Sequence, residues 1–207
     1  MRSLLITVII VAVVAGGVLL YTQRGAPQEE ETVSGVEGKR VLLIISFKDF
    51  RDEEFKIPFE VFTGAGIKVD VASDQTGKAI GVLGLEVQVN LSLETVNVDL
   101  YDAIVFVGGP GTPRHLWGNP EAVRIANEAY EKGKIIGAIC LAPGVLAEAD
   151  IVNGVKVTAF HTARSKLVQA GAVFMDEDVV VDGNIITASG PQAARKFANE
   201  ILKALRG

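Results

Sequence analysis

Several runs of strand length, each rich in apolar residues, recur along the chain, and the first of them is continuous rather than alternating with polar residues. They are Val41–Ser46, Ile67–Ala72, Ala103–Gly109 and Lys134–Cys140. A continuous apolar run of this length is typical of a parallel strand that is buried on both faces. The intervals between the runs are long enough for crossover helices or loops.

Helical patterns and turn signals fill the rest of this region. They are the apolar spacing of Phe55, Phe59 and Phe62, the Asn119-Pro120-Glu121 start of a helix that runs to about Gly133, the amphipathic stripe of Pro191–Arg206, and an Asp182-Gly183 hairpin signal. Strands alternating with helices predict a flavodoxin-like, doubly wound α/β fold with a mostly parallel sheet and helices on both faces. Ligands are expected at the carboxyl ends of the strands.

The first residues form an apolar segment, 4–21, that contains no charged side chain. A helix of roughly 18 to 20 apolar residues just crosses the hydrocarbon core of a bilayer, so the segment predicts a single transmembrane anchor over residues 1–21. A cleaved secretory signal peptide is the alternative, because both begin with a basic residue, here Arg2. The short N-terminal tail predicts that the domain lies outside the cytoplasm, although Arg24, Lys39 and Arg40 oppose this orientation.

Residues 22–38 mix Gly and Pro with a short acidic run and hold almost no large apolar side chains, which predicts a flexible tether. Residues 39–207 then form one domain of ordinary size.

The net charge of −5 argues against a nucleic-acid surface. One cysteine and two histidines lack the spacing of a zinc site, so no metal is expected.

Cys140 ends an apolar strand and precedes the start of a short helix, so its side chain is predicted at a strand-to-helix elbow, the position of a nucleophile. Unpaired backbone N–H groups and the helix dipole at such an elbow favour the thiolate and lower the pKa of the thiol. The alternative is a lone buried cysteine that packs as a small apolar side chain.

Two further segments lie where the strands of the predicted sheet end. Gly108 and Gly109 follow one strand, where backbone N–H groups could approach a ligand as an oxyanion hole, although a simple tight turn is the commoner meaning. Glu53 and Glu54 follow the first strand and could cap a helix, or one of them could share a proton with the thiol. The residues alone do not choose between these two acids.

Together these motifs resemble the ThiJ/PfpI family of the class I glutamine amidotransferase-like fold. The resemblance covers about residues 40–207 and rests on an ordered set: an acid before Ile57-Pro58, FVGGPG, GAIC followed by x-x-Pro, KVT, and a late VVDGNIITASGP. It selects Glu54, the acid four residues before Pro58, as the partner of Cys140. Family members include peptidases, glyoxalases and deglycases, and commonly form homo-oligomers.

Two positions depart from the patterns of that family. Leu141 stands where peptidase-like members carry a histidine, and Phe160 stands where glyoxalase-like members carry one, with His161 one position later. His161 remains a candidate catalytic residue if the loop shifts. His115 could line the mouth of the pocket, although a surface role is the simpler interpretation.

The resemblance favours an enzyme that acts on small reactive carbonyls or their protein adducts and needs no cofactor. Cys140 would add to an aldehyde, Glu54 would move a proton, and the N–H groups of Gly109 and Leu141 would hold the oxyanion. A cysteine peptidase acting on peptides and a non-enzymatic redox sensor or chaperone are the alternatives.

Overall fold

The computed structural model describes residues 10–14, 17–21 and 35–207. In the N-terminal unit, residues 1–32, the strands β1 (Ile10–Val14) and β2 (Gly17–Tyr21) pair antiparallel. The sequence predicted a membrane-spanning helix over residues 4–21, and the remainder of that segment and most of the predicted tether lie outside the described residues. Within the described ranges, no helix has both the length and the apolar character needed to cross a bilayer. The transmembrane helix is therefore not supported, and the membrane location stays a prediction.

The second unit, residues 33–207, is an α/β domain. Its strands are β3 (Arg40–Ile44), β4 (Lys48–Phe50), β5 (Lys68–Ser73), β6 (Gly77–Gly81), β7 (Glu86–Val89), β8 (Leu91–Ser92), β9 (Ala103–Phe106), β10 (Ile135–Ile139), β11 (Lys156–Val157), β12 (Val173–Phe174), β13 (Val179–Asp182) and β14 (Ile185–Ala188). Its α-helices are α1 (Asp52–Gly64), α2 (Thr112–His115), α3 (Pro120–Glu131), α4 (Pro143–Glu148), α5 (Arg164–Gln169) and α6 (Ala194–Arg206). Short 3₁₀ helices lie at Leu93–Thr95, Val98–Leu100, His161–Ala163 and Pro191–Ala193.

A seven-stranded sheet in the order β13-β14-β10-β9-β3-β5-β8 forms the centre of this domain. The pairs from β14 through β8 are parallel, and only the β13–β14 hairpin is antiparallel within this sheet. Because the order reverses between β3 and β9, the sheet is doubly wound, as the sequence predicted. The predicted hairpin turn at Asp182-Gly183 is confirmed, since Asp182 pairs with Ile185.

Side chains of the central strands alternate between two apolar layers, one on each face of the sheet. Leu42 and Ile44 of β3 pack in one layer, which α3, α4 and α5 cover. Val41 and Leu43 pack in the other, which α1 and α6 cover. The helices therefore lie on both faces, and this burial explains why β3, β9 and β10 are apolar without alternation.

A smaller three-stranded sheet, β4-β6-β7, follows the carboxyl end of β3 and was not predicted from the sequence. Asp52, in the first turn of α1, holds the loop between β6 and β7. Its carboxylate accepts hydrogen bonds from the backbone N–H groups of Leu83 (2.8 Å) and Leu85 (2.7 Å). This contact joins the hairpin to the start of α1, next to the predicted site.

Candidate active site

Cys140 follows β10 directly and adopts a left-handed backbone conformation, with φ of +63°. Such a conformation costs a non-glycine residue about 1–2 kcal/mol, so the surrounding structure must hold it. Its N–H donates to the Ala188 carbonyl (2.8 Å), and its carbonyl accepts from the Phe160 N–H (2.9 Å). The predicted elbow is thus present, and two neighbouring segments fix its backbone.

The residues after Cys140 are held by Trp117. The indole Nε1 donates to the Leu141 carbonyl at 2.8 Å. The same ring packs against Gly144, where an added Cβ would lie 2.2 Å from the ring atom Cε2. Only glycine at 144 therefore lets the indole lie close enough to support the elbow.

Gly108 and Gly109 follow β9 and form the floor of the site. An added Cβ at Gly108 would lie 2.6 Å from Glu54 Oε2 and 2.7 Å from Cys140 Cβ. At Gly109, where φ is +119°, an added Cβ would lie 2.4 Å from the Arg51 backbone nitrogen. The missing side chain at Gly108 therefore lets Glu54 and Cys140 occupy the same small space.

Glu54 lies in the first turn of α1 and is fully buried. Among the residues that the structure describes, neither of its carboxyl oxygens has a hydrogen-bond partner that meets normal geometric criteria. Burial raises the pKa of Glu54 to about 8, although the Cys140 thiol, the Arg51 charge and the Gly108 N–H each lower it in part. Glu54 is therefore mostly protonated at pH 7.

The pKa of the Cys140 thiol is raised, which corrects the sequence-based prediction of a lowered pKa. Burial is the largest cause and the neighbouring Glu54 is the next, whereas the backbone N–H groups of Gly109 and Leu141 lower it. Those N–H groups are the ones that the sequence predicted. The sequence could not show that the thiol is only 8% exposed and in contact with a carboxyl group.

These residues open onto a pocket of about 200 Å³. It is lined by Arg51, Glu54, Gly109, Pro110, Cys140, Leu141, Phe160 and Pro191. Five of the predicted site residues therefore line one pocket, and Gly108 lies beneath the Glu54–Cys140 contact. Sequence reasoning missed Arg51, Pro110 and Pro191. The position of Arg51 one turn before Glu54 was the available signal for it.

The structure does not bring His161 into this pocket. His161 lines a second pocket of about 510 Å³, together with the acidic residues 176–178, and its ring packs against Phe160 at a tilt of 45°, with 4.3 Å between ring centroids. His115 does not line this pocket either, and its Nδ1 lies 2.8 Å from Asp74 Oδ2. Among the described residues that line the cysteine pocket, none is a histidine.

The model of the DJ-1/PfpI family matches residues 39–204. "Uncharacterized protein MJ0967" of Methanocaldococcus jannaschii is 45% identical over 177 residues, which cover 84% of this chain and 86% of that protein. "Deglycase PfpI" of Pyrococcus furiosus is 33% identical over 165 residues, which cover 80% of this chain and 99% of the relative.

Solved structures show the same fold. The ThiJ/PfpI domain protein from Brachyspira murdochii has a TM-score of 0.78 at 34% identity, with 80% of this chain and 95% of that chain covered. Drosophila melanogaster DJ-1beta has a TM-score of 0.75 at 31% identity, with 82% and 91% covered. Both share the flavodoxin-like α/β architecture described above.

Proposed function

Since the chain belongs to the DJ-1/PfpI family, we propose that it is a cysteine-dependent enzyme that converts small 2-oxoaldehydes, free or released from protein adducts, into 2-hydroxy acids. One observation carries this proposal: Cys140 and the fully buried Glu54 meet in a pocket of only about 200 Å³. Pockets for drug-sized ligands typically occupy roughly 300–1,000 Å³, so this one favours a small substrate. Relatives named deglycases support the same class of reaction.

When Glu54 and Cys140 are both neutral, the pair holds two protons. The reaction requires the form of the pair that holds only one. In the reactive form, Glu54 and Cys140 share a single proton, and the sulfur bonds to the aldehyde carbon while the carbonyl oxygen takes up that proton. The backbone N–H groups of Gly109 and Leu141, which face the sulfur, would stabilise the developing oxyanion. This gives a hemithioacetal beside an ionised Glu54.

Glu54 then acts as the base. Its carboxylate removes the hydrogen on the former aldehyde carbon as a proton, and the hydroxyl proton on that carbon passes to the ketone oxygen. Glu54 then returns its proton to the adjacent carbon, which was the ketone. The first carbon is oxidised and the second reduced, so no external oxidant is required and a thioester forms. Water cleaves the carbon–sulfur bond, which releases the 2-hydroxy acid and restores the thiol.

The decisive experiment measures lactate formed from methylglyoxal by the full chain. We expect the Cys140→Ala and Glu54→Gln variants to lose at least about 100-fold in kcat/KM, because each removes a group that acts on the reacting atoms. Glu60→Gln, an exposed acid on the same helix, is the matched control and should retain activity. Turnover that survives Cys140→Ala would contradict the proposal.

A second candidate is a redox sensor or chaperone, and the protonated Glu54 beside the sulfur favours it. A neutral carboxyl group can donate a hydrogen bond to an oxidised sulfur, as can the N–H groups of Gly109 and Leu141. Mass spectrometry after mild peroxide would detect this role. Stable sulfinate at Cys140, together with no turnover of 2-oxoaldehydes, would favour the sensor over the enzyme.

The peptidase alternative receives less support from the site. A peptidase needs a general base to activate the thiol and a general acid for the leaving amine, and no histidine lines the described cysteine pocket. Another copy of the chain could supply such a group, since we also expect homo-oligomers. Casein hydrolysis that depends on Cys140, measured alongside the oligomeric state by light scattering, would restore this alternative.

A further inference from the structure

Arg51 brings a positive charge to the pocket. It is the residue that precedes α1, and its backbone is fixed because its N–H donates to the Gly108 carbonyl at 2.9 Å. Its side chain is about one-third exposed and lines the pocket that holds Cys140 and Glu54. Apart from Arg51 and Glu54, the described residues that line this pocket are uncharged.

Part of the Arg51 guanidinium is already occupied. Nε donates to Glu53 Oε2 at 2.8 Å and Nη2 donates to Glu53 Oε1 at 3.1 Å. A guanidinium has five N–H donors in a rigid planar fork. Within the described residues, the N–H donors of Arg51 Nη1 have no hydrogen-bond partner, so they remain available to a ligand. Planar donors of this kind suit a carboxylate.

The charge of Arg51 also has little competition inside the pocket. Glu54 is the one acid among the described lining residues, and burial keeps it mostly protonated at pH 7. Glu53 pairs with Arg51 from outside the lining of the pocket. An anionic substrate group at the pocket rim would therefore meet a positive charge without a facing negative one.

We propose that Arg51 makes the pocket selective for carbonyl substrates that carry a carboxylate, by binding that carboxylate at the pocket rim while Cys140 attacks the carbonyl. The substrate class is a 2-oxoaldehyde with a carboxylate at the far end of its carbon chain. The reaction in this statement rests on the proposed function, but the preference for a carboxylate is a property of the pocket and is tested separately.

The first test uses the single cysteine of the chain as a reporter. Iodoacetate and iodoacetamide alkylate the same sulfur and differ in that one carries a carboxylate. The ratio of their rates at Cys140, measured by mass spectrometry on the full chain, cancels changes in thiol reactivity. We expect Arg51→Gln to lower the iodoacetate-to-iodoacetamide ratio by roughly three- to tenfold, the range of a partly screened charge pair.

Three variants show whether the charge itself is responsible. Arg51→Lys keeps the charge and should restore most of the ratio, whereas a merely structural role would leave it low. Glu53→Gln removes the competing partner and should raise the ratio. Lys56→Gln removes an exposed charge from α1, the helix that follows Arg51, outside the pocket lining, and should leave the ratio unchanged. An unchanged ratio in Arg51→Gln, or an equal fall in Lys56→Gln, would overturn the proposal.

The second test measures turnover of 4,5-dioxopentanoate against the neutral 2-oxopentanal. We expect the ratio of their kcat/KM values to fall by the same roughly three- to tenfold in Arg51→Gln and to recover in Arg51→Lys. If neither compound is turned over, the proposed function fails, and the alkylation ratio alone decides on Arg51. Turnover of both with a ratio that Arg51→Gln does not change would overturn the carboxylate preference while leaving the enzyme in place.

Discussion

At the carboxyl end of the seven-stranded sheet, Glu54 is held differently from the ion pairs at the amino end. At the amino end, Lys39 Nζ lies 3.0 Å from Asp102 Oδ1, and Arg40 Nη2 lies 2.6 Å from Asp70 Oδ2. These side chains are about one-third exposed, and each has a partner of opposite charge, although Arg40 Nε is buried without a hydrogen-bond partner among the described residues. At the carboxyl end, Glu54 is fully buried, and among the described residues no partner makes a hydrogen bond of normal geometry with its carboxyl oxygens.

The backbone is also less regular at the carboxyl end of the sheet than at the amino end. Cys140, at the carboxyl end of β10, has a positive φ, whereas the amino ends of β3 and β5 begin in regular parallel pairing. Paired charges and regular strands contribute to stability, while a buried acid and a left-handed cysteine reduce it. The comparison teaches that the buried acid and the left-handed cysteine lie together at the carboxyl ends of the strands, where the proposed chemistry occurs.

The sharpest way to test the contrast is to remove the buried acid with Glu54→Gln. The pKa of Glu54 is about 8 in the folded chain, against an ordinary value of 4.5 for a solvated glutamate. Below pH 4.5 both states are protonated, so there is no penalty. As pH rises from 4.5 to 8, only the unfolded state loses the proton, so the wild type loses up to about 4 kcal/mol that the glutamine variant keeps.

Urea unfolding at pH 4.5 and pH 8.5 measures this effect. We expect Glu54→Gln to gain stability over the wild type as pH rises between these values. Glu60→Gln changes an exposed acid on the same helix and should follow the wild type at both pH values. If the stability of Glu54→Gln and that of the wild type change in parallel with pH, the buried Glu54 does not destabilise the carboxyl end of the sheet.

The amino end should respond in the opposite sense to Asp102→Asn. Burial raises the pKa of Asp102, but the Arg40 N–H and Lys39 more than offset this and hold it below the usual value. Asp102 therefore contributes stability above pH 3.8, and that contribution is lost as pH falls through its lower folded pKa. Because the pair is about one-third exposed, we expect a cost of only about 1 kcal/mol at pH 7.

Urea unfolding at pH 7 and pH 3 measures this cost, which should be present at pH 7 and small at pH 3. Asp99→Asn breaks a more exposed ion pair with Lys132 and is the matched control, with no measurable change expected. Neither variant should alter turnover of methylglyoxal. A loss of activity in Asp102→Asn would mean that the two ends of the sheet are coupled.

Local sequence signals predicted the features that depend on a few neighbouring residues. The continuous apolar runs gave the central strands, and the Asn119 side chain does accept from the N–H groups of Glu121 and Ala122 to begin α3. The elbow at Cys140 followed from an apolar run that ends before a proline-started helix. The choice of Glu54 over Glu53 came from the family resemblance, not from local pattern.

Features that depend on tertiary contact were missed or mistaken. The raised thiol pKa comes from burial and from Glu54, which lies 86 positions away in sequence, so no window around Cys140 contains its cause. Pro191 reaches the pocket from the segment after β14, and its spacing from Cys140 gives no signal. His161 was kept as a candidate because sequence cannot show on which side of Phe160 a loop residue lies.

A smaller effect isolates the strain at the elbow from the chemistry of its sulfur. Cys140→Ala and Cys140→Gly both remove the thiol, but only glycine adopts a φ of +63° without steric cost. We expect the glycine variant to be more stable than the alanine variant by about 1 kcal/mol, measured by urea unfolding at pH 7. A glycine variant that is less stable than alanine would mean that the surrounding contacts, rather than the residue at 140, determine this conformation.

The smallest expected effect concerns the boundary of the carboxyl-end site. His161 and Phe160 are adjacent in sequence, but Phe160 lines the cysteine pocket whereas His161 lines the neighbouring acidic one. His161→Ala should therefore change kcat/KM for methylglyoxal by no more than about twofold, while Phe160→Ala, which opens the pocket wall, should lower it clearly further. A loss in His161→Ala that exceeds the loss in Phe160→Ala would show that His161 reaches the reacting atoms during turnover. Residues of both pockets would then take part in the reaction, and the carboxyl-end site would include residues beyond those that contact Cys140.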